Sequence, residues 1–157
     1  MESLIYSALL AIFLGLAFMV TAQMLENANK VRIKLEVSEE AEFILKKIEW
    51  AVTGAATTTL PSANSTGTVL VISKANFPDN PLEFSLVSGI VYLKRGAATS
   101  TRLNNDRVSV SELLFDHRRD DTNGQSIILV TLTAKNKKVG DGEIFEASTT
   151  LKTAYKI

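Results

Sequence analysis

An uncharged apolar run near the start of the chain, within MESLIYSALLAIFLGLAFMVTAQ, constrains the fold more than any other feature. Residues 4–22 contain no charged side chain. As an α-helix with a rise of about 1.5 Å per residue, the run spans roughly 29 Å, close to the hydrocarbon thickness of a bilayer. Apolar residues occupy every face of such a helix, which excludes an amphipathic helix lying on a membrane surface. The run predicts a transmembrane segment whose apolar side chains are Leu4, Ile5, Leu9, Leu10, Ile12, Phe13, Leu14, Leu16, Phe18 and Val20.

A cleaved secretory signal peptide is the alternative interpretation of this run. Signal peptides have a shorter apolar core, of about 7–15 residues, and basic residues precede it. Here the apolar run is longer, and Glu2 stands where a lysine or arginine is expected. We therefore favour a segment that stays in the mature protein.

The helical pattern continues beyond the apolar run without a break. Residues 23–52 contain no proline and no glycine, and charged residues of both signs appear among them. Apolar residues recur at helical spacing, in one stripe through Met24, Ala28, Val31 and Leu35 and in a second through Val37, Ala41, Ile44, Leu45, Ile48 and Val52. Residues 1–53 therefore predict one long helix, transmembrane in its first half and amphipathic in its second, which ends before Gly54.

The rest of the chain, residues 54–157, has the pattern of a small globular domain with an antiparallel sheet. A loop rich in small and polar residues, TGAATTTLPSANSTG, comes first. The segments with strand character are 68–73, 82–87, 90–95, 107–115, 126–134 and 143–152. Turn residues separate them at Ser88-Gly89, Asn123-Gly124 and Gly140-Asp141-Gly142, and such short connections imply antiparallel neighbours. We expect an α+β fold in which the amphipathic half of the helix covers a sheet of about five or six strands.

The composition argues against several classes of chemistry. The chain has no cysteine, which excludes disulfides, thiolate metal sites and cysteine nucleophiles. Seventeen acidic residues balance seventeen basic ones, so no charge excess indicates a nucleic-acid partner. His117 is the only histidine, in FDHRRDD with Asp116, Asp120 and Asp121, but no serine stands in a nucleophile motif. We interpret this segment as a solvated hairpin tip and expect no catalytic residue, no cofactor and no metal site.

Three further motifs have ordinary explanations. GDGE (140–143) offers two carboxylates, fewer than a dedicated calcium loop supplies. NST (64–66) matches a glycosylation acceptor by letter, and such short motifs arise often by chance. Trp50, near the distal end of the predicted helix, is expected to fill the core rather than to form a ligand platform.

Taken as a whole, the chain resembles type IV pilin-like proteins, the family that includes type IV pilins and the pseudopilins of type II secretion. The processing motif of that family is a glycine, an aromatic residue, threonine, leucine, an aliphatic residue and glutamate, and MESLIYSALLAIFLGLAF matches it from Met1 and Glu2 onward. LKKIEWAVTGA, TVLVIS, LEFSLVSGIVYLKRG, TRLNNDRVSVSELLF and SIILVTLTA then follow one another much as in minor subunits of the J or W type.

The resemblance implies a shape, a function and a set of partners. It implies a long helix, half protruding and half packed on an antiparallel sheet, in a minor structural subunit of a type IV pilus or a type II secretion pseudopilus. The partners it implies are other pilin-like subunits in a helical filament, a prepilin peptidase, an inner-membrane assembly platform, and the lipid bilayer before assembly. The protein would cross the inner membrane once, with its globular domain outside the cytoplasm. Nucleic acid is not expected as a direct partner.

Two residues receive assembly roles from this resemblance. Glu2 would face the positively charged N-terminal amine of a neighbouring subunit, and because an unpaired carboxylate is costly in an apolar setting, this pairing would select one axial offset between subunits. The alternative is that Glu2 only stabilises a helix N-terminus. Gly15 would permit local unwinding of the helix inside the fibre, and a close contact between helices explains it equally well.

The charges that flank the apolar run require one further expectation. Lys30, Arg32 and Lys34 follow the run and no basic residue precedes it, so positive-inside reasoning places the sheet in the cytoplasm, opposite to a pilin. We therefore expect that an upstream stretch is missing and that Met1 is internal. The two alternative functions are a single-pass anchored binding module that forms no fibre and a membrane-tethered enzyme. A basic leader in the upstream reading frame would favour the fibre, and a stop codon there would favour the anchor.

Overall fold

A computed structural model describes residues 2–119, 126–137 and 148–156, apart from the side chains of Glu2 and Leu4. These residues form one helix, α1 (Glu2–Val52), followed by strands. The strands are β1 (Ala55–Leu60), β2 (Ser65–Gly67), β3 (Leu70–Lys74), β4 (Leu82–Val87), β5 (Ile90–Arg95), β6 (Thr101–Arg102), β7 (Val108–Arg119), β8 (Ser126–Asn136) and β9 (Ser148–Lys156).

The strands form two antiparallel sheets beside the long helix. Sheet A has the order β1-β3-β4-β5-β6, and sheet B has the order β2-β7-β8-β9. Every strand pair in both sheets is antiparallel. The α+β fold expected from the sequence is confirmed, with the strands divided between two sheets instead of forming one.

The hairpin between β4 and β5 shows why local signals predicted these two strands within their observed bounds. Ser88 and Gly89 form the two-residue turn, and both have positive φ, 51° and 79°. Two successive residues with positive φ are typical of the type I′ turn, whose twist matches that of the flanking strands. The positive φ favours glycine at position 89, and a Cβ there would also require the Ser109 hydroxyl to move.

Strands β1 and β2 form in the segment that the sequence predicted as a loop. Threonine is β-branched and favours strands, and Thr58 pairs with Ile72 of β3. In β2, Ser65 pairs with His117 of β7, a residue far away in the sequence. A pairing of this kind leaves no turn signal between the two strands, so the local pattern of small and polar residues did not indicate it.

The hydrophobic core lies between the second half of α1 and the sheets. The helix contacts β8, β9 and β3 through one face. The buried residues of that face are Val37, Ala41, Ile44, Leu45, Ile48, Ala51 and Val52, which include every member of the second predicted stripe. They pack against residues such as Phe84 and Phe115 from the two sheets, which are fully buried. The amphipathic half of the helix therefore covers the sheets as expected.

Polar contacts also fix the helix on the sheets. The Glu40 carboxylate accepts a hydrogen bond from the backbone N–H of Asn105 at 2.6 Å. On β9, the Tyr155 hydroxyl donates to the carbonyl oxygen of Leu45 at 3.2 Å. Burial raises the pKa of Tyr155, and the nearby negative charge of Glu49 raises this pKa further. These contacts lie on different sides of the buried face, so they restrain rotation of the helix about its axis.

Asn104 is a buried polar residue whose hydrogen-bonding groups are all engaged. Its Oδ1 accepts from the N–H of Val91 at 2.9 Å, and its Nδ2 donates to the carbonyl oxygens of Val108 at 2.7 Å and Gly89 at 3.1 Å. These bonds connect β5 and the β4–β5 turn to the start of β7. Asn104 therefore joins sheet A to sheet B through a satisfied polar group.

Candidate functional site

The first half of α1 projects away from the sheets. We call residues 5–22 the apolar segment. Its large side chains are exposed within the chain, and Phe18 is 75% exposed. Soluble monomers rarely present a continuous apolar surface of this extent to water, and such a surface marks contact with a membrane or another protein. By length and composition, α1 is able to cross a membrane.

The structure places most of the predicted transmembrane side chains on this exposed surface. Leu4 is helical, but its side chain lies outside the described residues. The exposed members of the predicted set are Ile5, Leu9, Leu10, Ile12, Phe13, Leu14, Leu16, Phe18 and Val20. They surround the helix on every side, because they occupy consecutive turns without a polar face.

The two predicted assembly residues both lie in the projecting part of α1. Glu2 is its first residue, and the Glu2 side chain is outside the description. The helix runs without interruption through Gly15, and a Cβ added there would meet nothing within 4 Å. Glycine inside a helix costs roughly 0.5–1 kcal/mol relative to alanine. Packing within this chain therefore does not account for Gly15, and its assembly role stays a prediction.

An exposed apolar stripe continues along α1 past the apolar segment. Met24, Val31 and Leu35 are each more than half exposed, and Ala28 between them is exposed as well. Their spacing of four, three and four residues is the heptad spacing by which one helix packs against another. The buried residues of α1 begin only at Val37. We call Met24, Ala28, Val31 and Leu35 the exposed stripe.

Trp50 lies at the C-terminal end of α1 and is 39% exposed, so the prediction that it fills the core is wrong. Lys74 Nζ lies 4.3 Å from the centroid of the indole and donates to the carbonyl oxygen of Trp50 at 2.6 Å. Phe77 meets the indole edge to face at 5.7 Å between ring centroids. The ammonium of Lys74 thus satisfies a terminal helix carbonyl and neutralises the negative end of the helix dipole.

His117 is 5% exposed, and its interpretation as part of a solvated hairpin tip is wrong. Leu113, Phe115 and His117 alternate along β7 and face the core together, a period-2 signal already present in the sequence. His117 Nδ1 donates to the carbonyl oxygen of Pro61 at 2.9 Å, since a carbonyl oxygen can only accept. Asp116, on the other face of β7, instead pairs with Arg118 at 2.9 Å.

The remaining candidates for chemistry are only partly within the description. Asp120, Asp121 and GDGE (140–143) lie outside the described residues. Across 2–119, 126–137 and 148–156, no group of three histidine, cysteine, aspartate or glutamate side chains could hold a metal ion. Asn64, the first residue of the NST motif, accepts a hydrogen bond from the N–H of Arg119 at 2.9 Å. The amide of Asn64 thus joins the segment between β1 and β2 to the end of β7.

Comparison with protein-family models, curated protein sequences and solved structures finds no match to this chain. Its function is therefore inferred from the exposed apolar half of α1 and from the sheets that carry the other half.

Proposed function

We propose that this chain is a structural subunit of a type IV pilus or a type II secretion pseudopilus, a minor one, which assembles through the projecting half of α1. The single observation that supports this best is the exposed stripe. The apolar segment alone fits an anchor in a bilayer, whereas the exposed stripe lies beyond it and stays uncovered by lipid.

The length of the apolar surface on α1 distinguishes a fibre subunit from a simple membrane anchor. At about 1.5 Å per residue, residues 4–22 fill the hydrocarbon layer, and the eleven steps from Met24 to Leu35 extend roughly 17 Å farther. Full burial of a side chain such as valine or leucine stabilises by about 1.5–3 kcal/mol. An anchored monomer would leave these side chains in water, and neighbouring helices in a filament would bury them.

In a filament of this kind, the contacts between neighbouring helices would determine how the subunits are arranged. In lipid, an apolar helix gains little from hydrophobic burial against another helix, so packing and polar pairing determine the register. Pairing of Glu2 with the N-terminal amine of a neighbour would supply that register. Because this contact joins two different patches of the subunit and offsets neighbours along the helix axis, it does not close into a ring, and it generates a helical fibre. The lipid bilayer, the prepilin peptidase and the inner-membrane assembly platform are partners of this route.

The natural absence of cysteine allows a direct test by cross-linking in membranes. Ala28→Cys in the exposed stripe is combined with a second cysteine placed in turn at each position from 8 to 22. A head-to-tail fibre gives a disulfide ladder that extends beyond the dimer for a subset of these pairs, because each subunit meets two neighbours. The matched control replaces Ala28→Cys by Glu26→Cys, which lies on the opposite face of the helix, and the ladder should be lost.

The role of Glu2 is measured in the same assay. Glu2→Ala should abolish the ladder while the protein remains in the membrane fraction. If every cysteine pair gives only monomers and no cross-linked product, the filament is refuted and the anchored binding module is supported. A product that stops at the dimer would indicate a closed pair of helices in place of a fibre.

A further inference from the structure

The globular domain contains a pocket of about 450 Å³, lined by residues of β1 in sheet A and of β7 and β8 in sheet B. Residues 55–58 of β1 form one wall, and His117, Arg119 and Ser126 from the ends of β7 and β8 form the other. This volume lies in the range of about 300–1,000 Å³ that is usual for ligand pockets. The pocket is far from the apolar segment of α1 along the chain, so it is a second feature to be explained.

The β1 wall offers main-chain groups to a ligand. Strand β1 is the terminal strand of sheet A, so one of its edges is not paired within that sheet. Four consecutive residues, 55–58, line the pocket, although side chains of a strand point alternately to its two faces. The pocket therefore runs along the edge of β1. A register shift between Ala55 and Thr57 adds main-chain groups that the ladder with β3 does not use.

The opposite wall presents a cation beside a hydroxyl group. Arg119 lies two residues beyond His117 on β7, so both project from the same face of sheet B. Ser126 is the pairing partner of Arg119 across the β7–β8 ladder. A guanidinium with an adjacent hydroxyl suits a carboxylate, which arginine binds through two parallel hydrogen bonds.

His117 lines the pocket beside Arg119 and Ser126. Its Nδ1 carries the proton donated to Pro61, which leaves a lone pair on Nε2 in the neutral ring. His117 Nε2 is buried and has no hydrogen-bond partner among the described residues. Because Nε2 is closed to solvent, a ligand in the pocket does not reach it, and the imidazole beside the pocket serves as a reporter of binding.

We propose that this pocket binds the carboxyl-terminal end of an extended peptide. The terminal carboxylate pairs with Arg119 and Ser126, and the peptide main chain adds to the free edge of β1. This mode joins strand addition to capture of a chain terminus, two recurring forms of peptide recognition. The site is independent of the proposed filament, and either one stands if the other fails.

The test uses the full-length chain in detergent micelles and two probe peptides. Both are N-acetylated tetrapeptides of alternating valine and threonine, one with a free carboxyl terminus and one with a carboxamide. Because the chain has one histidine, its imidazole ¹⁵N signals report His117 alone. We expect the unpaired Nε2 signal of the free protein to shift saturably with the carboxylate peptide, and the carboxamide peptide to bind at least tenfold more weakly.

Two arginines that are neighbours on β7 provide the matched variants. Arg119→Gln should lower the affinity for the carboxylate peptide tenfold to a hundredfold, the range expected when a charge-assisted pair is lost. The affinity for the carboxamide peptide should stay unchanged. Arg118→Gln, on the other face of β7, should leave both affinities unchanged. Equal loss in the two variants, equal binding of the two peptides, or no saturable shift of the His117 signal at millimolar peptide would each overturn the proposal.

Discussion

The two halves of α1 allow one substitution to be compared in two environments of the same helix. Ile48 is fully buried against the sheets, whereas Ile12 is 64% exposed in the apolar segment. Isoleucine to alanine removes three carbon atoms at either position. If the second half of α1 holds the domain together and the first half projects from it, the two changes should affect different measurements.

The expected magnitude at Ile48 follows from its burial. Loss of three buried carbons costs about 0.8 kcal/mol each in transfer free energy, and the cavity that remains adds to this, so Ile48→Ala should destabilise the domain by about 3–4 kcal/mol. For a domain of roughly 100 residues, each 1 kcal/mol lowers the melting temperature by about 4–8 °C, which predicts a decrease of about 12–32 °C. Ile12→Ala leaves no cavity inside the domain, and its melting temperature should stay within about 2 °C of the parent.

The assay is thermal unfolding of the full chain in detergent, followed by near-ultraviolet circular dichroism. The second measurement is extraction from membranes at high pH, which Ile12→Ala should increase and Ile48→Ala should leave unchanged as long as the domain is folded. Equal decreases in melting temperature for the two variants would refute the division of α1, because they would place the apolar segment inside the packed domain.

Two further predictions concern buried polar groups in the domain. Asn104→Ala removes three hydrogen bonds and leaves the N–H of Val91 without its partner, so the free energy of unfolding should fall by roughly 2–4 kcal/mol. Urea unfolding measures this, with the exposed Asn29→Ala as the control, and a loss below about 1 kcal/mol would contradict the bridging role of Asn104. Burial raises the pKa of Tyr155 above its ordinary 10.0, so the folded protein keeps this proton after the unfolded chain has lost it, and stability should fall as the pH rises above about 10. Tyr155→Phe, which also removes the hydrogen bond to Leu45, should make that decline shallower in urea titrations between pH 8 and 11, and an identical decline in both proteins would show that Tyr155 does not cause it.

Features encoded by neighbouring residues were predictable from the sequence. The spacing of apolar residues gave the full extent of α1 and the face that it buries, because both depend on a period of 3.6 residues. The β4–β5 hairpin was predictable in the same way, since Ser88-Gly89 determines both the turn and the register.

Features that depend on distant partners were not predictable. Strand β2 exists because it pairs with β7, and no pattern within Ser65–Gly67 indicates that contact. Trp50 was expected in the core, but Lys74 of β3 and Arg95 of β5 approach its ring, which lies at the surface. The pocket wall is a mixed case, because alternation along β7 places His117 and Arg119 on one face, whereas their position opposite β1 comes from the fold.

Because α1 is continuous, it fixes the distance between the sheets and the surroundings of the apolar segment. The 30 residue steps from Ala22 to Val52 measure about 45 Å, and β1 starts at Ala55, immediately after the helix. No proline or glycine interrupts residues 23–52, so this stretch has no hinge. With residues 4–22 in a bilayer, α1 holds the β1 edge at a fixed distance from the membrane and in a fixed orientation. A tilt or rotation of the membrane-spanning end of α1 therefore also tilts or rotates the sheets.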